Sequence, residues 1–334
     1  MKNLLIVQAF HADGVGRLLA HPGIRTTVIE DMSPATLTSA VVDAEIIAVR
    51  NQPLTKELLD HATNLVCVAK HGVGVDKIDI DYLTSRGIPC INTPGANAGS
   101  VAEQAITLML AVAKKLRIND LAVRNGNFSI RETRNTTCIS GKKILICGFG
   151  SIGRAVARMC KGFEMDIHFY DPFLSQEAVT DIKATKAEDF LSVLPEMDII
   201  SLHLPLTEQT RNMINAKALS LMKSDAILVS AARGGIVNEI DLYTALQEGR
   251  IAGAGLDVFA DEPIPVTNPL LSLDCVVTSP HNAALSKEGA IRMGVETAQN
   301  VIDFVEGRID PACVVNKTIF VSPLFRSHFK SMCC

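Results

Sequence analysis

Lys143-Ile-Leu-Ile-Cys-Gly-Phe-Gly-Ser-Ile-Gly153 is the stretch that decides the fold of this chain. An apolar run enters Gly148-x-Gly150-x-x-Gly153. A helix-forming stretch follows from Arg154 to Cys160, and a second apolar run, Met165–Tyr170, ends at Asp171. Strand, glycine turn, helix, strand and acid, in that order, make a dinucleotide-binding unit. Gly148 permits the tight turn, Gly150 has no side chain to block a pyrophosphate, and Gly153 lets the helix lie close to the strand. The helix N-terminus offers N–H groups and a partial positive charge to the phosphates. Asp171 stands 18 residues beyond Gly153, where a carboxylate accepts from ribose hydroxyls. A bare glycine turn of an α/β protein is the plain alternative, but here every surrounding element of the binding unit is present. The acid repels a 2′-phosphate and Pro172-Phe173-Leu174 supplies no arginine to attract one, so the pattern reads as NAD rather than NADP.

Outward from this motif, the chain alternates short apolar runs with helix-like segments. Before it come Leu4–Ala9, Thr27–Ile29, Ile46–Val49, Leu65–Ala69 and Pro89–Asn92. Helices open at Ser33-Pro34, with an N-cap and an N1 proline, and span Leu54–His61 and Ile78–Arg86, the latter stopped by Gly87. Ser100–Lys115 reads as one long helix with a capping box at Ser100-x-x-Glu103. Arg124–Ser140 is polar and reads as a surface connection. Further strands are expected at Asp166–Tyr170, Ile199–Leu202, Ala226–Ser230, Ala254–Val258 and Val276–Thr278, then a last helix at Lys287–Glu306. Such alternation predicts an α/β protein with two doubly wound parallel sheets.

With 334 residues there is room for two domains, and a mean hydropathy of +0.24 suits buried parallel strands. The net charge of −4 and the lack of a basic cluster argue against nucleic acid as a partner, and the apolar runs fall short of a membrane span. Met1–Phe10 faintly resembles a signal peptide but reads better as a first strand. Nine scattered cysteines with no C-x-x-C suggest reduced, buried thiols in the cytoplasm rather than disulfides or a metal site. The terminal Cys333-Cys334 is not a prenylation box and reads as part of a frayed tail.

Three expected strand ends after the glycine motif carry titratable residues, and ligands bind at the carboxyl ends of parallel strands. Arg233 follows Leu228–Ser230 and precedes two glycines. Asp257 ends the next strand, with Glu262 on its loop. His281 follows Thr278-Ser-Pro. Singly, each has an ordinary reading as a loop charge, a turn or a structural histidine. Together beside a nicotinamide they form a chemical set. A histidine removes or supplies the hydroxyl proton, a carboxylate on its other nitrogen fixes the tautomer and favours imidazolium, and a guanidinium holds a carboxylate or carbonyl in a fork.

These motifs, with Lys70-His-Gly-Val-Gly-Val-Asp76, Ser100-Val-Ala-Glu103, His203-x-Pro205 and Ser279-Pro-His281, resemble the D-isomer-specific 2-hydroxyacid dehydrogenase family over residues 40 to 315. The resemblance implies that Arg233, Glu262 and His281 are catalytic, with His281 as acid/base, Glu262 as its partner and Arg233 orienting a 2-oxo acid. It also implies cofactor contacts from Ser151, Ile152, Asp171, His203, Pro205, Thr207, Ala231, Ala232, Arg233, Asp257, His281 and Ala283, beside the three glycines. A Rossmann domain, 99–285, would be inserted into a flavodoxin-like substrate domain, 1–98 plus 286–316, leaving 317–334 as a tail. Two connecting helices would act as the hinge, and family members are generally homodimers.

For the substrate, Gly72-Val73-Gly74 reads as an anion nest of backbone N–H groups, with an ordinary βα turn as the alternative. Arg50, at the end of Ile46–Val49, is placed to reach the same cleft. Phosphoglycerate enzymes resemble the Val49-Arg50 element, but His71 departs from their arginine-rich loop, and the chain ends short of the regulatory domain some of them carry. Ser230 and Asn282 also depart mildly from the common wording. The specific alternatives are a phosphoglycerate dehydrogenase and a glyoxylate/hydroxypyruvate reductase. The alternative of another class is an NAD-sensing corepressor-like scaffold, although those relatives often place a tryptophan by the substrate and this chain has none.

Overall fold

The computed structural model describes residues 1–179 and 181–325. The chain divides into two compact units, one formed by Met1–Asn97 and the chain from Leu285, the other by Ala98–Ala284.

The first unit carries β1 (Lys2–Val7), α1 (Ala12–Ala20), β2 (Ile24–Ile29), α2 (Pro34–Val41), β3 (Ile46–Val49), α3 (Lys56–Asp60), β4 (Cys67–Lys70), α4 (Ile80–Ser85) and β5 (Cys90–Ile91). Its sheet is parallel in the order β2-β1-β3-β4-β5. All four residues of β3 are buried, as a parallel strand covered on both faces requires. Ile46 and Ala48 face one apolar core, Ile47 and Val49 the other. Ser33 caps α2 by accepting from the Thr36 N–H, with Pro34 in the first turn.

The second unit holds α5 (Ala98–Ala113), α6 (Leu116–Arg124), β6 (Lys143–Cys147), α7 (Ser151–Lys161), β7 (Asp166–Tyr170), β8 (Thr185–Lys186), α8 (Phe190–Val193), β9 (Ile199–Leu202), α9 (Ala216–Leu221), β10 (Ile227–Ser230), α10 (Glu239–Gln247), β11 (Gly253–Leu256) and β12 (Val276–Thr278). The sheet runs β12-β11-β10-β9-β6-β7-β8, again parallel throughout. The order reverses at β6, so a crevice opens at the carboxyl ends of β6 and β9, where dinucleotides bind in such sheets. The chain then returns to the first unit with α11 (Lys287–Val305), whose Ala298, Val301 and Phe304 fill the core under β1, β3 and β4.

Four expectations need correction. Helix α5 starts at Ala98, so Ser100 lies inside its first turn as a buried residue and is not an N-cap. A separate helix, α6, follows a left-handed Lys115. None of its residues is buried, and its apolar Leu116, Leu121 and Val123 are exposed. A seventh strand, β8, was not expected: two residues, Thr185 and Lys186, pair with the outer side of β7. Residues 317–325 are not a tail. Ile319 and Phe325 are buried in the first unit's core, and the ring of Phe320 meets that of Phe325 edge-on at 5.5 Å. Cys333-Cys334 lies outside the described residues. Among the described residues, no helix is long and apolar enough to cross a membrane.

Candidate active site

The glycine elbow follows from β6. Ile144–Cys147 are fully buried, and the chain then turns at Gly148 with φ of +88°, a conformation that favours glycine. Phe149 is buried and stacks on Phe169 of β7, with ring centres 4.5 Å apart. Gly150 is the N-cap of α7 and contributes no side-chain cap, and a Cβ built there meets nothing within 4 Å. A Cβ on Gly153 would lie 2.0 Å from the Gly148 carbonyl oxygen, so here the helix rests directly on the turn. The elbow therefore has open space at Gly150, uncapped N–H groups at Ser151 and Ile152, and a tight contact at Gly153. These features fit a pyrophosphate.

Pairing of Cys147 with Tyr170 sets Asp171 beside the elbow. One Asp171 oxygen accepts from the Phe149 N–H at 3.0 Å and the other from the Phe173 N–H at 3.0 Å, so the acid is held in place by backbone. Two lone-pair sites remain for ribose hydroxyls. His203 follows β9 and donates its N–H to the Cys147 carbonyl at 2.7 Å. Its Nε2 pairs with Ser201 Oγ at 2.8 Å, and removal of the ring from water lowers its pKa to about 4. Pro205 and Thr207 belong to a turn closed by Thr210, whose hydroxyl donates to the Pro205 carbonyl at 2.7 Å. Ile152, Ala231 and Ala283 meet in one small apolar cluster with Val101 and Ala284. Ala232, by contrast, faces the larger core.

The titratable set occupies the carboxyl ends of three neighbouring strands, β10, β11 and β12, spaced about 4.8 Å apart. His281 Nδ1 meets Glu262 Oε2 at 2.7 Å, and Glu262 Oε1 accepts from the Phe259 N–H at 3.1 Å. With Nδ1 engaged, Nε2 is the ring nitrogen that can meet a substrate oxygen. His281 has φ of +51°, left-handed backbone that costs a non-glycine residue about 1–3 kcal/mol. Arg233 donates from Nη1 to the Ala232 carbonyl at 2.7 Å. Its turn lies against the Glu262 loop, since a Cβ on Gly234 would come within 1.7 Å of the Phe259 carbonyl oxygen. Among the described residues no group of three His, Cys, Asp or Glu is placed to hold a metal.

The chain belongs to the D-isomer specific 2-hydroxyacid dehydrogenase family. Residues 106–283 match that family's NAD binding domain. The chain is 40% identical over 286 residues to a D-3-phosphoglycerate dehydrogenase of Archaeoglobus fulgidus, covering 85% of this chain and 54% of the relative. It is 41% identical to a glyoxylate reductase of Thermococcus litoralis, covering 84% of this chain and 86% of that one. The crystal structure of D-lactate dehydrogenase from Aquifex aeolicus, complexed with NAD and lactic acid, superposes with a TM-score of 0.84 at 29% identity, over 94% of this chain and 99% of that one. The chain spans little more than half the length of the phosphoglycerate dehydrogenases of Archaeoglobus fulgidus and Methanocaldococcus jannaschii.

Two expected site residues carry hydrogen bonds within the fold. The Gly72 N–H, at φ of +98°, is already donated to Thr93 Oγ1 at 3.2 Å, which leaves Val73 and Gly74 as the nest's candidate donors. Asp257 is fully buried, and its carboxylate accepts from the Ser279 hydroxyl and from the Asn282 and Ala283 N–H groups. Arg50 follows β3 as expected, and its N–H donates to the Val7 carbonyl at 3.4 Å. Sequence reasoning missed Gln104 and Ser279, which meet at 2.9 Å although 175 positions apart. Only the Ser-Pro-His wording hinted at the serine.

Proposed function

We propose that this protein is an NAD-dependent D-2-hydroxyacid dehydrogenase that interconverts a small 2-oxo acid and its D-2-hydroxy acid. The observation that carries the proposal is the 2.7 Å contact between His281 Nδ1 and Glu262, beside the Arg233 turn at the carboxyl edge of a dinucleotide-type sheet. When bound, the nicotinamide supplies or accepts the hydride. His281 Nε2 donates a proton to the substrate carbonyl oxygen during reduction and takes it from the hydroxyl during oxidation. Glu262 holds the ring and stabilises the imidazolium. Arg233 binds the substrate carboxylate and polarises the carbonyl. Asp171 favours NAD by repelling a 2′-phosphate.

The substrate class we favour is a two- or three-carbon 2-oxo acid, in keeping with relatives named glyoxylate reductase, hydroxypyruvate reductase and D-3-phosphoglycerate dehydrogenase. In this reading the unit formed by Ala98–Ala284 binds the cofactor. A homodimer is proposed on the exposed Leu116, Leu121, Val123 and Phe128, apolar side chains along α6 and the turn after it. The seven described cysteines are free thiols, in keeping with a cytoplasmic protein.

The test is NADH absorbance followed with glyoxylate, hydroxypyruvate, pyruvate and phosphohydroxypyruvate. Consumption with at least one of them is expected. Silence across all four, with NADH binding intact, would refute the enzymatic reading and favour a coenzyme-sensing scaffold.

A further inference from the structure

None of residues 260–268, the loop that carries Glu262, is buried. Ile264 rests half-buried on the core, so polar contacts largely set where the loop stands. Its two ends meet on one carboxylate. Glu239, in the first turn of α10, accepts from the Ala260 N–H through Oε1 at 2.6 Å and from Asn268 Nδ2 through Oε2 at 2.7 Å. Asn268 Oδ1 accepts from the Leu270 N–H at 3.0 Å, which leaves the amide's NH2 for Glu239. Between these ends, Glu262 reaches His281 Nδ1 with one oxygen and the Phe259 N–H with the other. The Arg233 turn lies against the same end of the loop, since a Cβ on Gly234 would come within 2.8 Å of the Ala260 nitrogen.

We infer that Glu239 is a positioning residue that latches both ends of the Ala260–Asn268 loop and so holds Glu262 against His281. The inference rests on the proposed pairing of Glu262 with His281 in the reaction. A carboxylate fits this place because both partners are donors and it accepts at both oxygens. A glutamine side chain accepts at one and turns an NH2 group toward the other donor. The negative charge is also favoured at the start of α10. Leu242, Ala245 and Leu246 bury α10 in the same core as β9 and β10, so the latch ties an exposed loop to a packed helix. Loss of the latch frees one end of the loop. Glu262 stands two positions from Ala260, and a shift there carries its carboxylate away from the imidazole.

The experiment compares Glu239→Gln, Glu239→Gln with Asn268→Asp, Glu262→Ala, and Glu239→Gln with Glu262→Ala, all in the full chain. It reads kcat, KM and NADH Kd with the 2-oxo acid that the parent reduces best, and amide hydrogen exchange over residues 260–268 by mass spectrometry. Glu239→Gln is expected to lower kcat roughly 10- to 100-fold and to speed exchange in the loop, with NADH Kd within about threefold of the parent. Adding Asn268→Asp should restore most of both, because the new NH2 group then donates to a carboxylate and the bond is remade in the reverse direction. In the Glu262→Ala background, Glu239→Gln should change kcat less than about twofold, since nothing is left for the latch to aim. A full loss of kcat in that background, or a loss confined to NADH Kd or KM, overturns the inference. So does loop exchange in Glu239→Gln equal to the parent's, or failure of Asn268→Asp to slow it again. If Glu239→Gln does not fold, Asn268→Ala, which removes one bond alone, is read in the same two backgrounds and decides. If the parent reduces no 2-oxo acid, the functional proposal falls, while exchange over the loop still decides whether Glu239 holds it.

Discussion

Two glycines of the elbow, three positions apart, separate the needs of the fold from those of the ligand. At Gly153 a methyl group would lie 2.0 Å from the Gly148 carbonyl oxygen and 3.2 Å from Ile146 Cγ2, so helix α7 must lift from the turn by about 1 Å. Overpacking of this kind costs about 1–3 kcal/mol. For a unit of this size that lowers Tm by about 2–4 °C per kcal/mol. At Gly150 the backbone has φ of −74° and ψ of −156°, open to any residue, and an added methyl meets nothing within 4 Å. Alanine there gains about 0.4–1 kcal/mol by restricting the unfolded chain. It loses a few tenths or more as a poorer N-cap than glycine. Gly150→Ala should therefore melt within a few degrees of the parent. Its methyl, however, stands where a pyrophosphate approaches the backbone, and NADH Kd should rise at least about tenfold, or 1.4 kcal/mol. Differential scanning calorimetry and NADH fluorescence titration measure the two effects separately. If Gly150→Ala binds NADH as tightly as the parent, or melts as low as Gly153→Ala, the assignment of the open face to the pyrophosphate is wrong.

Gly234→Ala forces the Arg233 turn and the Phe259 carbonyl apart by more than about 1 Å, and a displacement of that size should cost about 100-fold in kcat/KM; near-parental activity would show that the two loops move independently. His281→Ala should bind NADH normally and lose about 100- to 10,000-fold in turnover, and equal turnover in mutant and parent removes this residue from the chemistry. Arg233→Lys should lose most kcat/KM because a point charge cannot reproduce the fork, and retention of nearly full activity would end the orienting role. Burial, with smaller contributions from Lys70 and Arg50, lowers the pKa of His71 to about 4, and burial does the same to His203. An unfolded imidazole titrates near 6.5, so from about pH 6.5 down to about 4 the unfolded chain binds protons that the folded chain refuses, and stability falls with pH by on the order of 3 kcal/mol per ring. Urea unfolding at pH 7 and pH 5 should show the loss, and His203→Gln should reduce it; an unchanged difference would show that the ring is protonated in the fold.

The local order of strand, glycine turn, helix and acid was legible because each of its requirements is local. Backbone approach demands glycine, burial on both faces demands continuous apolar runs such as Ile144–Cys147, and these requirements leave marks on adjacent residues. The strand ends bearing Arg233, Glu262 and His281 were legible for the same reason. Elements outside the cores were missed: α6 spaces Leu116, Ile118 and Leu121 as an amphipathic helix does but buries none of its residues, and β8 is two polar residues at the rim of the sheet. Nor did residues 317–325 announce that Ile319 and Phe325 would enter a core built mostly from the first hundred residues.

What the chain determined by itself was therefore the kind of sheet, the place of the dinucleotide crevice and the chemical identity of the groups at its rim. What tertiary structure decided was the work of each group. Asp257 reads from the sequence as a strand-end acid, and only the fold shows that Ser279, Asn282 and Ala283 converge on its carboxylate. A hydrogen bond reaches about 3 Å whatever the separation along the chain, so the pairing of Gln104 with Ser279 exists only once the fold has brought α5 beside the end of β12.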